Sequence, residues 1–386
     1  MKNNSFCEPS ELSRLLEKAS QVYLKNFPES ANTAWFGKCI FVSWYCSIAT
    51  CKFCFRAVQN QRGKEGGKER GKGIGGEMGR KRGGERVNSP RTPEQARRST
   101  PSILAETLIT RKLGWRLEFL TGGCDSLPFN QFFELIQKVC EVYNDKVWIN
   151  LGLFNKEQLE KLKPYVEGVC ASIETTNPEL HDQICPDKPI KPYEEMLELS
   201  GRLGFKKSAC IIIGLGEKKS DIDSLFEFIK RNKLDRLTFY ALKPVKGSSF
   251  NKSPEPEEYA WWIARSRIEF PCLEIMAGLT PKKPEYAEWV LRAGVNAITK
   301  FPAIRKFGSE QARIVEQGAI NAGRRLNSSL TCMTRIDRAE SGSESGCDWE
   351  KEIDELELEP DMKRELKHAV LRYINKMSKK ASEKNF

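Results

Sequence analysis

The chain has 386 residues, of which 39% are hydrophobic, and this is enough to bury a large core in one barrel-sized domain or in two smaller ones. No uninterrupted apolar run approaches the roughly 20 residues of a membrane span, and the first residues lack the basic-then-apolar order of a secretion signal. We therefore expect a cytoplasmic protein without a membrane span.

The cysteine content bears on the kind of chemistry that the chain can support. Thirteen cysteines without a secretion signal are typical of a reducing compartment, where thiols serve as metal ligands or as buried apolar side chains. The two histidines are His181 and His368, so zinc sites and catalytic triads that depend on histidine are disfavoured.

The net charge of +11 comes mainly from one segment. Residues 60–98 contain 12 Lys and Arg against 5 Glu, a net charge of +7 (12 − 5), in a Gly-rich stretch with too little apolar surface to order itself. Such an arm can bind nucleic acid, but no aromatic residue interrupts it to stack on bases. We therefore expect a flexible insertion, and nucleic acid is disfavoured as a partner.

In chain order, an amphipathic helix is predicted first, over residues 10–26, where apolar residues recur at helical spacing. From residue 39 onward, strand and helix patterns alternate to about residue 325. The predicted strands are 40–45, 116–121, 146–151, 168–174, 209–214, 236–242, 273–277 and 297–301. The predicted helices lie near 100–113, 129–143, 156–165, 193–203, 219–232, 256–268, 285–293 and 309–323.

Eight strands that alternate with eight helices predict a parallel α/β fold, and the count favours a closed TIM-type (β/α)8 barrel over an open sheet. The predicted division is an N-terminal helix in residues 1–35, a barrel over 36–330 that contains the basic insertion, and a tail over 331–386. In the tail, an acidic linker precedes a C-terminal helix with Leu366, Val370 and Tyr373 on one side.

Cys46, Cys51 and Cys54 form a Cys-x4-Cys-x2-Cys motif directly after the first predicted strand, where a barrel carries its working residues. Closely spaced thiolates deliver soft ligands to a single metal centre. Three ligands leave one metal position open, which indicates a reactive iron–sulfur cluster rather than a closed structural site. Zinc stays the alternative if the fold brings Cys39 or Cys124 close enough to supply a fourth thiolate.

Further candidate residues lie beside this motif or where later strands end. Phe53 offers a flat ring that can stack on a heterocycle. Gly122-Gly123 let a ligand approach the backbone after the second strand, and Glu174, at the end of the fourth, can accept hydrogen bonds from hydroxyl or ammonium groups. The fifth strand ends in a close glycine turn that involves Ile212, Gly214 and Glu217.

Taken in order, these motifs resemble the radical SAM superfamily, and more narrowly its biotin-synthase-like branch, across residues 36–330. The segment 172–181, Ser-Ile-Glu-Thr-Thr-Asn-Pro-Glu-Leu-His, is similar to the fourth-strand segment of that branch, including its hydrogenase-cofactor maturases. That family binds a 4Fe-4S cluster through three cysteines, and the fourth iron chelates the amino and carboxylate groups of S-adenosylmethionine (SAM).

The resemblance implies that Cys46, Cys51 and Cys54 are the cluster ligands. It also implies that Phe53 contacts adenine, that the glycine doublet receives the methionine amino group, and that Glu174 touches the ribose or the amino acid of SAM. The fifth-strand residues that match the motif supporting adenine are Ile212, Gly214 and Glu217.

The reaction that the resemblance implies is reductive cleavage of SAM, with an electron from a donor such as ferredoxin or flavodoxin. The products are methionine and a 5′-deoxyadenosyl radical, which abstracts hydrogen from a small-molecule substrate in the barrel. Segments 240–247, 262–271 and 293–302 also look like this branch. The substrate-facing candidates near the ends of the sixth and eighth strands are Tyr240, Lys243 and Lys300, and the two lysines suit a carboxylate or a phosphate.

Three departures from the family's pattern limit the assignment. The usual cysteine spacing is x3 then x2 rather than x4 then x2, and Cys124 follows the glycine doublet where most members carry an acidic residue. Biotin synthase also holds a second cluster deep in its barrel, whereas this chain has Ser208 in place of a cysteine ligand and no cysteine in residues 147–150. Sulfur insertion into dethiobiotin is therefore disfavoured.

Two other functions stay open at this point. One is a non-catalytic zinc or iron–sulfur protein that binds nucleic acid through the basic arm. The other is a choice within radical enzymes, between a maturase that builds a metal cofactor and an enzyme that modifies a lipid or a peptide.

Overall fold

A computed structural model describes residues 10–58, 92–333 and 348–382. Eight parallel strands form a barrel, and each pairs with the next. Strand β1 pairs with both β2 and β8, which closes the barrel and confirms the predicted TIM-type fold. The strands are β1 (Thr33–Phe41), β2 (Arg116–Thr121), β3 (Val147–Asn150), β4 (Val166–Glu174), β5 (Lys206–Ile213), β6 (Arg236–Ala241), β7 (Glu274–Gly278) and β8 (Ala297–Thr299).

Helices surround the barrel and cover it with their apolar faces. In Phe129–Tyr143, for example, Phe132, Ile136 and Val139 are buried at helical spacing, and the helix ends at the left-handed residue Asn144. The remaining helices are Glu11–Asn26, Pro93–Ala96, Thr100–Lys112, Lys156–Leu162, Pro178–Ile184, Lys191–Arg202, Ile222–Asn232, Pro256–Glu269, Tyr286–Arg292, Ala303–Lys306, Glu310–Asn321, Asp348–Glu355 and Pro360–Ser382. Across the described ranges, no helix combines the length and the apolar character needed to span a bilayer.

The prediction of a first strand over 40–45 was wrong, because β1 starts at Thr33 and ends at Phe41. Two residues interrupt the apolar pattern of this strand, so the sequence alone does not reveal where it begins. Gly37 lies in a tight place, where a Cβ would be 3.0 Å from the Trp35 ring, and the Lys38 ammonium forms an ion pair with Glu106 at 2.8 Å. A polar residue and a glycine therefore occupy a strand whose other residues are mostly buried.

The predicted flexible insertion over 60–98 extends too far. Residues 60–91 lie outside the described residues, but residues 92–98 are part of the body of the fold. Thr92 caps the helix Pro93–Ala96, and the Arg98 guanidinium donates to the Phe41 carbonyl at 3.0 Å and to the Glu106 carboxylate at 2.9 Å. Burial of these charge-assisted bonds fixes the end of the segment.

The C-terminal tail was predicted in part. The helix Pro360–Ser382 is confirmed, with Leu366 and Val370 buried. Residues 348–357 were predicted as linker, but Asp348–Glu355 is a helix because Trp349 and Ile353, four residues apart, bury one of its faces. The linker residues 334–347 lie outside the described residues.

Two buried arginines connect segments at the amino ends of the strands, and Arg324 also contacts the first helix. The Arg267 guanidinium donates to the carbonyls of Gly294 and Leu273, each at 2.8 Å. Arg324 donates to the Val295 carbonyl at 2.5 Å and to the Tyr23 hydroxyl at 2.7 Å. Burial lowers the pKa of Arg267 to about 9 and that of Arg324 to about 10, so both stay charged at neutral pH.

The barrel interior is filled by large and polar side chains. Near its amino end, the Arg236 guanidinium lies 3.9 Å from the centre of the Trp148 ring. Higher up, a β-bulge on β2 sets Lys38 opposite Leu117 and Cys39 opposite Phe119, so Glu118 is the extra residue and points inward. Glu118 is completely buried, and burial raises the pKa of its carboxyl to about 7.

Replacing Arg324 by alanine should lower the free energy of unfolding by about 2–4 kcal/mol, because the Val295 carbonyl and the Tyr23 hydroxyl lose a charged donor in a buried place. The exposed neighbour Arg325 provides the matched control, and Arg325→Ala should change the free energy by less than about 0.5 kcal/mol. Urea denaturation followed by circular dichroism measures both. Equal effects of the two substitutions would contradict the role given to Arg324.

The raised pKa of Glu118 makes stability depend on pH with a definite sign. The folded protein holds a proton on Glu118 up to about pH 7, whereas the unfolded chain releases it near pH 4.5. This stabilisation is therefore complete below about pH 4.5 and is lost by about pH 7, a loss of roughly 3 kcal/mol. Glu118→Gln should remove this part of the pH dependence, and parallel stability curves for the two proteins would contradict the assignment.

Candidate metal and cofactor site

The cysteine loop lies at the carboxyl end of the barrel, fastened to the ends of two other strands. The Ser47 amide donates to the Cys124 carbonyl at 3.0 Å, just beyond β2. The Lys52 amide donates to the Ile184 carbonyl at 2.9 Å, at the end of the helix that follows β4. Residues 46–54 are thereby held over the same barrel end where Gly122-Gly123 and Glu174 lie.

The second glycine of the doublet, Gly123, is required by this loop. A Cβ at Gly123 would lie 2.2 Å from the Tyr45 carbonyl oxygen and 2.4 Å from the Cβ of Cys46, and neither contact is tolerable. A Cβ at Gly122 would lie 2.6 Å from the hydroxyl of Ser126. The missing side chain of Gly123 therefore admits the cysteine loop to the end of β2, a reason that the sequence alone did not suggest.

Each of the first two motif cysteines is paired with a second thiol. A hydrogen bond from the Cys124 thiol lowers the pKa of Cys46, and one from the Cys185 thiol lowers the pKa of Cys51. Burial instead raises the pKa of Cys54. Cys46 and Cys51 are therefore predisposed to the thiolate form, which is the form that binds metals.

Sequence reasoning considered Cys124 as an added ligand and missed Cys185. The signal for Cys124 is its position after the glycine doublet, whereas Cys185 follows the helix Pro178–Ile184, which was not predicted. Cys39, the other candidate, donates its thiol hydrogen to Glu118 inside the barrel. Within the described ranges, no three Cys, His, Asp or Glu side chains already have the arrangement of a metal site.

Glu174 combines burial, backbone strain and an ion pair. It has a φ of +66°, and its Oε1 accepts a hydrogen bond from the Lys188 ammonium at 2.6 Å. Of the six non-glycine residues with positive φ in the described ranges, two end helices. The other four, all in loops or at strand ends on this side of the barrel, are Ala49, Asp125, Glu174 and Lys300. Strain of this kind concentrates where a site over-determines the backbone.

The fifth-strand residues divide between two roles. The Glu217 carboxylate accepts hydrogen bonds from the amides of Gly214, at 2.6 Å, and Leu215, at 2.8 Å, so it fixes the turn after β5. Ile212 belongs to the apolar cluster inside the barrel, and the ring of Phe53 packs against that same cluster. The predicted adenine-contacting residues thus share one apolar surface beneath the loop.

Two of the three predicted substrate-facing residues are brought together. The Lys300 ammonium lies 3.9 Å from the centre of the Tyr240 ring, within cation–π distance, and the Tyr240 hydroxyl donates to Glu118 at 3.1 Å. Lys243 is exposed two residues beyond β6. Sequence reasoning also missed Glu118, whose inward position depends on the bulge.

Comparison with known proteins identifies the family. The sequence pattern of the radical SAM superfamily matches residues 42–229. An uncharacterized protein of Methanocaldococcus jannaschii is 30% identical over 84% of this chain and 83% of its own length. The biotin synthases of Methanococcus aeolicus and Thermodesulfovibrio yellowstonii are 24% and 28% identical, and the chain spans about half the length of each.

Solved structures agree on the fold. Methylornithine synthase (PylB) superimposes with a TM-score of 0.58 at 22% identity, over 76% of this chain and 79% of that one. The hydrogenase maturase HydG superimposes with a TM-score of 0.59 at 15% identity, over 98% and 86%. Together with the barrel and its cysteine loop, the sequence match shows that the chain belongs to the radical SAM superfamily.

Proposed function

We propose that the protein cleaves SAM reductively at a 4Fe-4S cluster held by Cys46, Cys51 and Cys54, and that the resulting radical abstracts hydrogen from a small molecule in the barrel. The observation that carries this proposal is the position of the cysteine loop, which is fastened over the barrel end beside Glu174 and the glycine doublet. Members of the superfamily use such a cluster together with SAM.

The donor set fits an iron–sulfur cluster with one open position. Three half-buried thiols are supplied by one loop, and two of them have a lowered pKa. When bound, the cluster supplies the electron that splits SAM, and the proposed source is a low-potential donor such as ferredoxin or flavodoxin. The protein's part is to supply thiolates and to keep water from the enclosed reaction space.

The proposed SAM contacts follow from the same end of the barrel. Phe53 and Ile212 offer an apolar surface for the adenine ring, beside the turn that Glu217 fixes at Gly214. Glu174 presents its second carboxylate oxygen for a hydroxyl or ammonium group, since its first is held by Lys188. The backbone of Gly122-Gly123 is the proposed partner of the methionine amino group.

The proposed substrate region lies below, around Tyr240 and Lys300, with Lys243 at its edge. Two ammonium groups at a barrel mouth favour a substrate with a carboxylate or a phosphate. Sulfur insertion of the biotin synthase kind is disfavoured, because the space near Ser208 is occupied. Ser208 pairs in register with Arg236, whose guanidinium stacks on Trp148.

One observation favours a second candidate function. Cys124 lies beside the cysteine loop, because its carbonyl accepts the Ser47 amide at 3.0 Å, so a fourth sulfur is close by for a closed zinc site without catalysis. In that case the basic segment would bind nucleic acid, and its residues 60–91 lie outside the described residues. The two candidates differ in which cysteines the metal needs.

Serine substitutions at Cys46, Cys51 or Cys54 should each abolish uptake of a 4Fe-4S cluster, because each removes a thiolate ligand. Cys124→Ser and Cys185→Ser are the matched controls, since they remove neighbouring thiols and leave the three ligands in place. Iron and sulfide content and the visible absorption band, measured after anaerobic reconstitution, distinguish the two groups. Loss of metal from Cys124→Ser, with zinc bound to the unmodified protein, would support the zinc candidate instead.

Glu174→Gln should weaken SAM binding about tenfold, because a hydrogen bond to a charged carboxylate is replaced by one to a neutral amide. Isothermal titration of the reconstituted enzyme with SAM measures the change, and the exposed Glu179→Gln is the control in the same segment. Glu174→Gln also leaves the Lys188 ammonium buried without its partner. A double variant with Lys188→Gln removes that charge and should show the same loss of affinity, whereas unchanged affinity in both would contradict the contact.

A further inference from the structure

Three side chains with exchangeable hydrogens, Cys39, Glu118 and Tyr240, are connected by hydrogen bonds inside the barrel. The Cys39 thiol donates to Oε2 of Glu118 at 2.7 Å, and the Tyr240 hydroxyl donates to Oε1 of the same carboxyl at 3.1 Å. Glu118 is completely buried, while Cys39 and Tyr240 are each 9% exposed. The two outer groups therefore retain slight exposure, whereas the carboxyl that connects them has none.

The barrel is shaped around this row. The bulge on β2 turns Glu118 inward. Two glycines leave room beside the row: Gly37 beside Glu118, and Gly278 beside the Tyr240 ring. A Cβ at Gly278 would lie 2.2 Å from the Tyr240 ring, and one at Gly37 would lie 3.2 Å from the Cβ of Glu118. Bulges of this kind re-aim a side chain, frequently beside an active site.

The interior also holds polar atoms whose hydrogen bonds are unmet by protein groups. On β6, the Thr238 hydroxyl and Nη1 of Arg236 are buried and have no partner among the described residues. Both lie on the same face of the strand as Tyr240, because alternate residues of a strand share a face. Unmet donors on an inward face indicate that a ligand or ordered water completes this space.

Resting on the proposed function, we propose that Cys39 returns a hydrogen atom to the carbon radical formed in the barrel, and that Tyr240 and Glu118 restore the thiol. A thiol suits this role because its S–H bond is weaker than an aliphatic C–H bond. The Tyr240 phenol can then supply an electron and a proton to the sulfur. A carboxyl within hydrogen-bond distance of both groups can carry the proton from one to the other by turning about its last C–C bond.

The S–H bond of Cys39 breaks homolytically, a C–H bond forms on the radical, and one unpaired electron stays on sulfur. Tyr240 gives an electron to that sulfur, and its proton passes to Oε1 of Glu118. The carboxyl then turns about its last C–C bond and gives the same proton to sulfur. A one-electron reductant, which is dithionite in the experiment below, and a proton from solvent then restore the Tyr240 hydroxyl. Per cycle, the carbon radical gains one electron and one proton.

Deuterium transfer tests the first step. Reconstituted enzyme is incubated with SAM and dithionite in deuterated water, without added substrate or thiol reductant, so that the 5′-deoxyadenosyl radical itself takes the atom. The 5′-deoxyadenosine formed should contain one deuterium in the wild type, and Cys39→Ala should lose most of that label per molecule of 5′-deoxyadenosine. Cys210→Ala is the matched control, since Cys210 is another buried thiol inside the barrel, and it should keep the label.

Two further variants separate the second step from a structural role. Glu118→Gln and Tyr240→Phe should keep the label in the first turnover and lose it in later turnovers, because the thiol is no longer restored. Without any cluster, the infrared S–H stretching band of Cys39, isolated by subtracting the spectrum of Cys39→Ala, should shift to higher frequency in Glu118→Gln as its hydrogen bond weakens.

Unlabelled 5′-deoxyadenosine from the wild type would overturn the proposal, as would equal label in Cys39→Ala. An S–H band that does not move in Glu118→Gln would overturn the link between the thiol and the carboxyl. A failure to release any 5′-deoxyadenosine is a different result, because it contradicts the proposed function itself and removes the basis of this inference with it.

Discussion

The close approach of the cysteine loop to the end of β2 is the contact on which the site depends. Gly123 has no side chain where the Tyr45 carbonyl and the Cβ of Cys46 pass, and two backbone hydrogen bonds fix the loop on either side. A side chain at position 123 would force the loop away from β2. The thiols would then leave the barrel end where the strained residues Glu174 and Lys300 lie. This close approach at Gly123 thus places the proposed metal ligands beside the rest of the candidate site.

Three groups of side chains with different properties follow one another along the barrel axis. Thiols with lowered pKa values lie at the carboxyl end, and the Cys39–Glu118–Tyr240 row lies inside. Arg236 and Trp148 fill the space toward the amino end. This order follows from the fold, because a (β/α)8 barrel presents strand ends to ligands on one side and packs its interior on the other. Relatives with the same fold can therefore differ in substrate through a few inward residues.

The sequence predicted the parts of the fold that follow from regular patterns. The bounds of β2 and of the helix Phe129–Tyr143 match the predicted ranges, since both are bounded by turns and have clear periodicity. It failed at β1, where Gly37 and Lys38 interrupt the apolar run for reasons that lie on other strands. Glu118 was not predicted as an inward-facing residue for a similar reason. A bulge is one additional residue in a pairing, and nothing in the sequence of a single strand marks it. The pairing of Cys51 with Cys185 joins distant segments and could not be inferred from spacing.

The arginine contacts at the amino end of the barrel have a consequence for acidic conditions. Arg267 and Arg324 bind mainly backbone carbonyl oxygens, which do not take up protons in the way that carboxylates do. Bonds of this kind keep their strength as acidity increases, because protonation neutralises neither partner. Acidity alone should therefore not release these contacts at the amino end of the barrel.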